Sequence, residues 1–180
     1  MPAHDTLLSF VNAWELDENA HLNVQYYFSR FEESERQFRL LTGFSESIVG
    51  ARRVRHVRFH QEALSGTLLR VNAYVCFDGP HILTVVHEMR DATSGTLIAT
   101  AIDGYNPALE AARTLRTRFK DCQGPMPDTA APRGLSATPA SLRLTLESIL
   151  ANGAEISHRA TVLSRHLGAD GKADDSFVLG

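Results

Sequence analysis

The sequence predicts an α+β domain in which an antiparallel sheet wraps around one long central helix. Three observations carry this. The stretch from Trp14 to Leu41, WELDENAHLNVQYYFSRFEESERQFRLL, joins helix-start signals to a sustained helical apolar period. Alternating segments with short turns between them follow from Val54 to Tyr105. The stretch at 23–41 is the only long apolar helix available to cover the sheet those segments would form.

The helix organises the chain. Val24, Tyr27, Phe28, Phe31, Ser34, Phe38 and Leu41 fall at three- and four-residue steps and so share a face. Arg30, Glu32, Glu33, Arg36 and Arg39 fall largely on the other. Its length is about 19 residues, or roughly 28 Å. Burying the six large apolar side chains of the stripe would gain on the order of 10–15 kcal/mol gross. Asn23 or His21 can cap the start, and Gly43 stands where a helix-ending glycine belongs.

In chain order, Leu7 to Trp14 reads as a first strand and the helix follows. Thr42 to Ala51 is a loop. Val54 to His60 alternates, Leu69 to Phe77 alternates cleanly, and Asp78-Gly79-Pro80 is a turn. Ile82 to Arg90 and Leu97 to Tyr105 are further strands, the last apolar on both faces and so placed inside the sheet. Pro107 to Lys120 forms a second helix on the stripe Leu109, Ala112, Leu115, Phe119. Residues 1–120 make one domain, 121–139 a Pro/Gly/Ser/Thr-rich linker, and 140–180 a C-terminal extension. The extension holds a short helix at 141–150 and a strand at 155–165, and ends on the apolar Phe177-Val178-Leu179. Ile156 to Asp170 faintly echoes Leu7 to Asp17, so a second, degenerate copy of the domain is a reading of this region.

Composition narrows the classes. With 180 residues and 43% hydrophobic content the chain builds a real core, and a net charge of −3 argues against a nucleic-acid binder. No apolar run is long enough to span a bilayer. The start MPAHDTLL lacks the charged and apolar regions of a signal peptide, which points to the cytoplasm. Cys76 and Cys122 show no metal or redox spacing and are expected as reduced thiols.

Asp17, His21 and Asn23 form the constellation with chemical potential. They stand between a strand end and a helix start, where open N–H groups carry the positive end of the helix dipole. Such amides stabilise an oxyanion, and a carboxylate beside them acts as general base or nucleophile. Asp, Asn and His are also ordinary capping residues, a purely structural alternative.

Asp17-Glu18-Asn19-Ala20-His21-Leu22-Asn23, with Tyr27 four residues on, resembles the D-x-x-G-H-V-N-x-x-x-Y pattern of hotdog-fold acyl-CoA thioesterases of the 4-hydroxybenzoyl-CoA thioesterase type. Phe28, Phe31, Glu32 and Glu33 resemble that family's aromatic-acidic helix, and the strand pattern to Tyr105 fits the fold. The resemblance covers residues 5–106. It implies a sheet wrapped round a central helix, homodimers or homotetramers, and thioester hydrolysis with no metal and no cofactor beyond the CoA of the substrate. It places Asp17 as the catalytic aspartate, with His21 and Asn23 at motif positions and the carbonyl near the amides of Asn23 and Val24. One departure is Ala20, where the family has Gly: if the position needs positive φ, alanine is costly there.

Other residues have two readings each. Arg52 and Arg53, in a run with Arg55 and Arg58, would hold the CoA phosphates or form a solvated loop. Trp14, Tyr26 and Tyr27 would line an acyl pocket or pack the core. Some hotdog enzymes place their catalytic carboxylate on the helix, which by resemblance makes Glu35 the reserve candidate; the other reading puts it at the border of the buried face. His56 and His60 lie roughly 13 Å apart on a strand, too far for one metal ion, and His81 and His87 are no better placed. Two further functions compete with thioester hydrolysis. Asp17 to His21 also resembles, one residue short, the Asp-x-Asn-Pro-x-His run of hotdog enoyl-CoA hydratases; the other is a non-catalytic acyl-CoA-binding domain.

Overall fold

The computed structural model describes residues 3–131, 146–151, 153 and 167. Strand β1 (His4–Phe10) is followed by a 3-10 turn at Ala13–Glu15 and then helix α1 (Val24–Thr42). A single-turn helix α2 (Glu46–Val49) leads into β2 (Val54–Phe59), β3 (Leu68–Cys76), β4 (Leu83–Asp91) and β5 (Leu97–Tyr105). Helix α3 (Leu109–Arg118), a 3-10 turn at Lys120–Cys122 and a short α4 (Leu146–Ala151) complete the described elements. The five strands form one antiparallel sheet in the order β1-β3-β4-β5-β2. Helix α1 packs across one face of the sheet, against β1 and β3.

The first strand ends four residues earlier than the apolar pattern suggested. Asn12 stops it: the Glu15 carboxylate accepts both the Asn12 amide (2.8 Å) and its side-chain nitrogen (3.2 Å), turning the chain into the 3-10 segment. Helix α1 meets its predicted ends. Asn23 caps it by accepting the Gln25 amide at 3.1 Å, and Gly43, at φ 69°, closes it in the left-handed conformation.

The buried face of α1 is more polar than its apolar stripe implied. Tyr27, Phe31, Ser34 and Phe38 are buried as expected, but Arg30 and Glu35 are buried beside them, while Val24 and Leu41 are exposed. Arg30, assigned to the solvent side by pattern, lies one turn beyond Tyr26 and turns inward to an ion pair. Burial of three large apolar side chains rather than six brings the gross gain to about 5–9 kcal/mol.

A polar layer crosses the core between two apolar clusters. Along α1 the order is Phe31, then Ser34 and Glu35, then Phe38; along β4 it is Met89, His87, Val85; along β5 it is Ala101, Asp103, Tyr105. In each case a polar residue separates two apolar ones. Thr6 sits at an irregularity in β1, donates to the Val71 carbonyl (2.9 Å) and lies 2.6 Å from the Ser34 hydroxyl. Ser34 in turn is 2.8 Å from His87 Nδ1, and His87 Nε2 is 3.2 Å from Asp103.

Residues 121–131, expected as the start of a linker, are fixed to the outer face of the sheet. Gly124 donates its amide to Val75, Arg58 Nη1 donates to the carbonyls of Asp128 and Ala131, and Thr100 donates to Thr129. Ala130 packs with Tyr74, Cys76, Val86 and Ile102. A Cβ at Gly124 would stand 2.8 Å from the Tyr74 ring, so only glycine passes there. This strap buries the second face of β5, which is why that strand reads apolar on both sides. The predicted strand at 155–165 and the apolar 177–179 end lie outside the described residues. Cys76 and Cys122 are both buried free thiols. Among the described residues no helix is long and apolar enough to cross a membrane.

Candidate functional site

The loop between β1 and α1 is held by its own backbone. Leu16 and Leu22 bridge across it, the Asp17 amide donates to the His21 carbonyl at 2.8 Å, and the Ala20 amide donates to the Asp17 carbonyl at 3.1 Å. That tight return puts Ala20 at φ 63°, the only non-glycine residue with positive φ among the described residues. The position therefore does take the left-handed conformation that glycine favours, and alanine adopts it at a cost of about 1–2 kcal/mol.

Asp17 is half-buried at the base of this loop. Its Oδ1 accepts the amides of Asn19 (2.9 Å) and His21 (3.1 Å). Among the described residues Oδ2 has no hydrogen-bond partner. One oxygen thus anchors the carboxylate and the other stays available for chemistry.

The His21 ring points across to a neighbouring loop, with Nε2 3.0 Å from the Glu62 carboxylate. That loop is stitched to the site: Leu22 donates its amide to Ala63 at 2.8 Å, and His21 bridges Leu64. Glu62 was not picked out by sequence reasoning, since it lies far from the motif in an ordinary polar turn.

Of the amides around the helix start, Asn23 donates to the Glu15 carbonyl at 2.9 Å and is committed. Gln25 is satisfied by the Asn23 side chain. Val24, the first helical residue, has no acceptor within the helix, so its N–H is the open one. The expected pair of donors at Asn23 and Val24 is therefore reduced to Val24. The Val24 side chain is 46% exposed.

The remaining sequence-predicted residues divide. Trp14 is 76% exposed rather than packed in a pocket wall among the described residues. Tyr27 turns into the core at 4% exposure, its hydroxyl accepting the Ala63 amide at 3.2 Å and its ring edge-on to Phe59 at 5.1 Å. Burial raises the Tyr27 hydroxyl above its ordinary pKa, so it stays a neutral phenol. Arg53 is exposed.

Arg52 is not a free phosphate clamp. Its guanidinium donates to Glu35 at 2.8 Å and to Glu32 at 2.7 Å. Arg55 reaches Glu32 at 2.7 Å and grips Asp103 with two bonds of 2.7 and 2.6 Å. The two residues stand opposite in the β2–β5 register, which brings the charges together. Burial works against the Asp103 charge, but Arg55 and His87 outweigh it and hold the carboxyl well below the usual carboxylate range. Glu35 accepts the Tyr105 hydroxyl at 2.5 Å and Arg39 at 2.6 Å, so the reserve carboxylate is enclosed and spoken for. An Asp in the otherwise apolar stretch AIDGY was the readable sign of this network, because buried carboxylates occur paired.

A cavity of about 430 Å³ opens on the β1 side of the loop, lined among others by Phe10, Asn12, Glu15, Tyr26 and Arg30. Its floor is the Arg30–Glu15 pair at 2.7 Å. Asp17 does not line it. No group of three His, Cys, Asp or Glu side chains among the described residues is arranged to hold a metal ion.

Sheet order, the enclosed helix and the loop at its start define the hotdog fold. Comparison with solved structures bears this out. The chain is similar to a provisionally assigned thioesterase of Pseudomonas putida, with a TM-score of 0.54 at 18% identity, over 74% of this chain and 97% of that one. It is similar to the Escherichia coli probable thioesterase YbaW, with a TM-score of 0.52 at 17% identity, over 66% and 98% of the two chains. It is also similar to the Staphylococcus aureus protein SAV2348 in complex with CoA, with a TM-score of 0.51 at 16% identity, over 69% and 90%. No protein-family model matches the chain, and no curated protein matches it.

Proposed function

We propose that this chain is an acyl-CoA thioesterase, hydrolysing an acyl-CoA to a free acid and CoA. The observation that carries the reading is the Asp17 carboxylate, anchored by one oxygen with the other unbonded, one short loop before the open Val24 amide. Similar structures support it: one is a probable thioesterase and another holds CoA. The Asp17-to-Asn23 motif adds the 4-hydroxybenzoyl-CoA thioesterase type as its finer form.

On this reading the thioester carbonyl accepts the Val24 N–H, whose partial positive charge stabilises the oxyanion. Asp17 Oδ2 takes a proton from water, the hydroxide adds to the carbonyl carbon, and collapse expels the CoA thiolate, which recovers the proton. In the alternative route Oδ2 adds to the carbonyl carbon, the C–S bond breaks to expel the CoA thiolate, and water then opens the acyl-aspartyl anhydride to the free acid and the Asp17 carboxylate, its proton passing to the thiolate. His21, oriented by Glu62, and the cap residue Asn23 hold the loop around the reacting centre. Arg53 is the exposed cation of the basic run and the one we assign to the CoA phosphates. Water is the only co-reactant required. The edge strand β2, with Val54 and Phe59 exposed, is the surface for a homodimer, which a homotetramer would repeat.

The test is a screen of short, aromatic and charged acyl-CoAs for free-thiol release. Saturable release from at least one supports the reading. Loss of enoyl absorbance without thiol release would instead make the protein a hydratase, and binding without turnover would make it a carrier domain.

A further inference from the structure

The interior side of the candidate site is closed, and this bears on what the enzyme accepts. Tyr27 stands three residues along α1 from the open Val24 amide, about 4.5 Å of helical rise. It is pinned at both ends, by the Ala63 amide at its hydroxyl and by Phe59 at its ring. Behind it, Leu22, Phe31, Val71, Met89 and Ala101 form one packed cluster, each at 3% exposure or less. Beyond that cluster lie the Thr6, Ser34 and His87 side chains, all buried and joined by hydrogen bonds of 2.6 and 2.8 Å.

An acyl tail running between helix and sheet would have to displace Tyr27 and strand the Ala63 amide. Further in, it would meet a polar layer. The cavity on the β1 side is no better route, because its floor is the Arg30–Glu15 ion pair, which an alkyl chain would desolvate.

Resting on the thioesterase reading, we propose that Tyr27 is the floor of the acyl pocket and limits the substrate to short acyl groups. About 4.5 Å of depth accommodates about three carbons beyond the carbonyl. Each methylene past that point must displace packed protein, and a methylene in a fitted pocket discriminates by about 10–200-fold.

The experiment measures kcat/KM for acetyl-, butyryl-, octanoyl- and palmitoyl-CoA with the wild-type protein and with Tyr27→Ala and Tyr27→Leu. The expected wild-type result is turnover of acetyl- or butyryl-CoA with a fall of at least about tenfold at octanoyl-CoA. Either folded variant should raise the octanoyl-to-butyryl ratio by about tenfold or more, with the change mainly in KM. Turnover that climbs toward palmitoyl-CoA in the wild type would overturn the depth limit while leaving thioester hydrolysis standing. An unchanged ratio in a folded variant would remove Tyr27 as its cause. Release from no thioester at all would overturn both readings.

Discussion

Asp17 and His21 are joined twice: the Asp17 carboxylate accepts the His21 amide at 3.1 Å, and the Asp17 amide donates to the His21 carbonyl at 2.8 Å. The double link closes the loop ahead of α1 and fixes the carboxylate against that turn. It also gives Asp17 a structural task in the free protein, since one oxygen organises the turn whatever the other does. Substitutions at Asp17 therefore have to be read against a fold control.

The same loop forces Ala20 to φ 63°. Ala20→Gly should remove that strain, offset in part by the greater freedom of glycine in the unfolded chain. A net gain of about 0.5–1 kcal/mol is expected, read as a Tm increase of roughly 1–4 °C. A lower Tm for the glycine variant would mean that the loop carries no strain at this position.

Acid should unfold the protein through its interior carboxylates. Burial raises Asp103 and Glu35, but Arg55 and, for Glu35, the Tyr105 hydroxyl with Arg52 and Arg55 bring both below their ordinary values. The unfolded chain then takes up protons first, near the ordinary carboxylate range. Stability from these groups is complete above about pH 5 and drains as pH falls below about 4. Urea midpoints across pH 3–7 check this; a midpoint unchanged from pH 5 to pH 3 would contradict it.

Arg30 and Glu15 form a second buried pair, at 2.7 Å, with Arg30 also donating to the Phe10 and Tyr26 carbonyls and to Ser9. Arg30→Met should cost about 3–5 kcal/mol, because it leaves a carboxylate enclosed without its cation. Adding Glu15→Gln should recover part of that loss. Equal stability of the single and double variants in equilibrium unfolding would show the two residues uncoupled.

How much of this was readable beforehand depends on which force fixes each feature. Helix α1 was legible to within one residue because both its ends are local, an Asn cap and a C-terminal Gly. The strands were legible because alternation and turn residues are local too. The polar layer was legible only at Asp103, a carboxylate in an apolar strand: Ser34, His87 and Asp103 meet only once three elements are packed, and Ser34 and His87 pass as ordinary residues of their own segments. Arg30 and Arg52 were misread for the same reason, since a cation next to a helix looks solvated until its carboxylate arrives from elsewhere in the chain. At the site, the motif located Asp17, His21 and Asn23 in one loop but gave no sign of Glu62, or that the Asn23 amide is already taken by Glu15.

The most direct measurement is free-thiol release by Asp17→Asn beside the wild type, on the best acyl-CoA of the screen, with far-UV circular dichroism and urea unfolding as fold controls. The account predicts turnover lower by about two to four orders of magnitude with the fold retained. Turnover within a few-fold of wild type in a folded Asp17→Asn protein would contradict it.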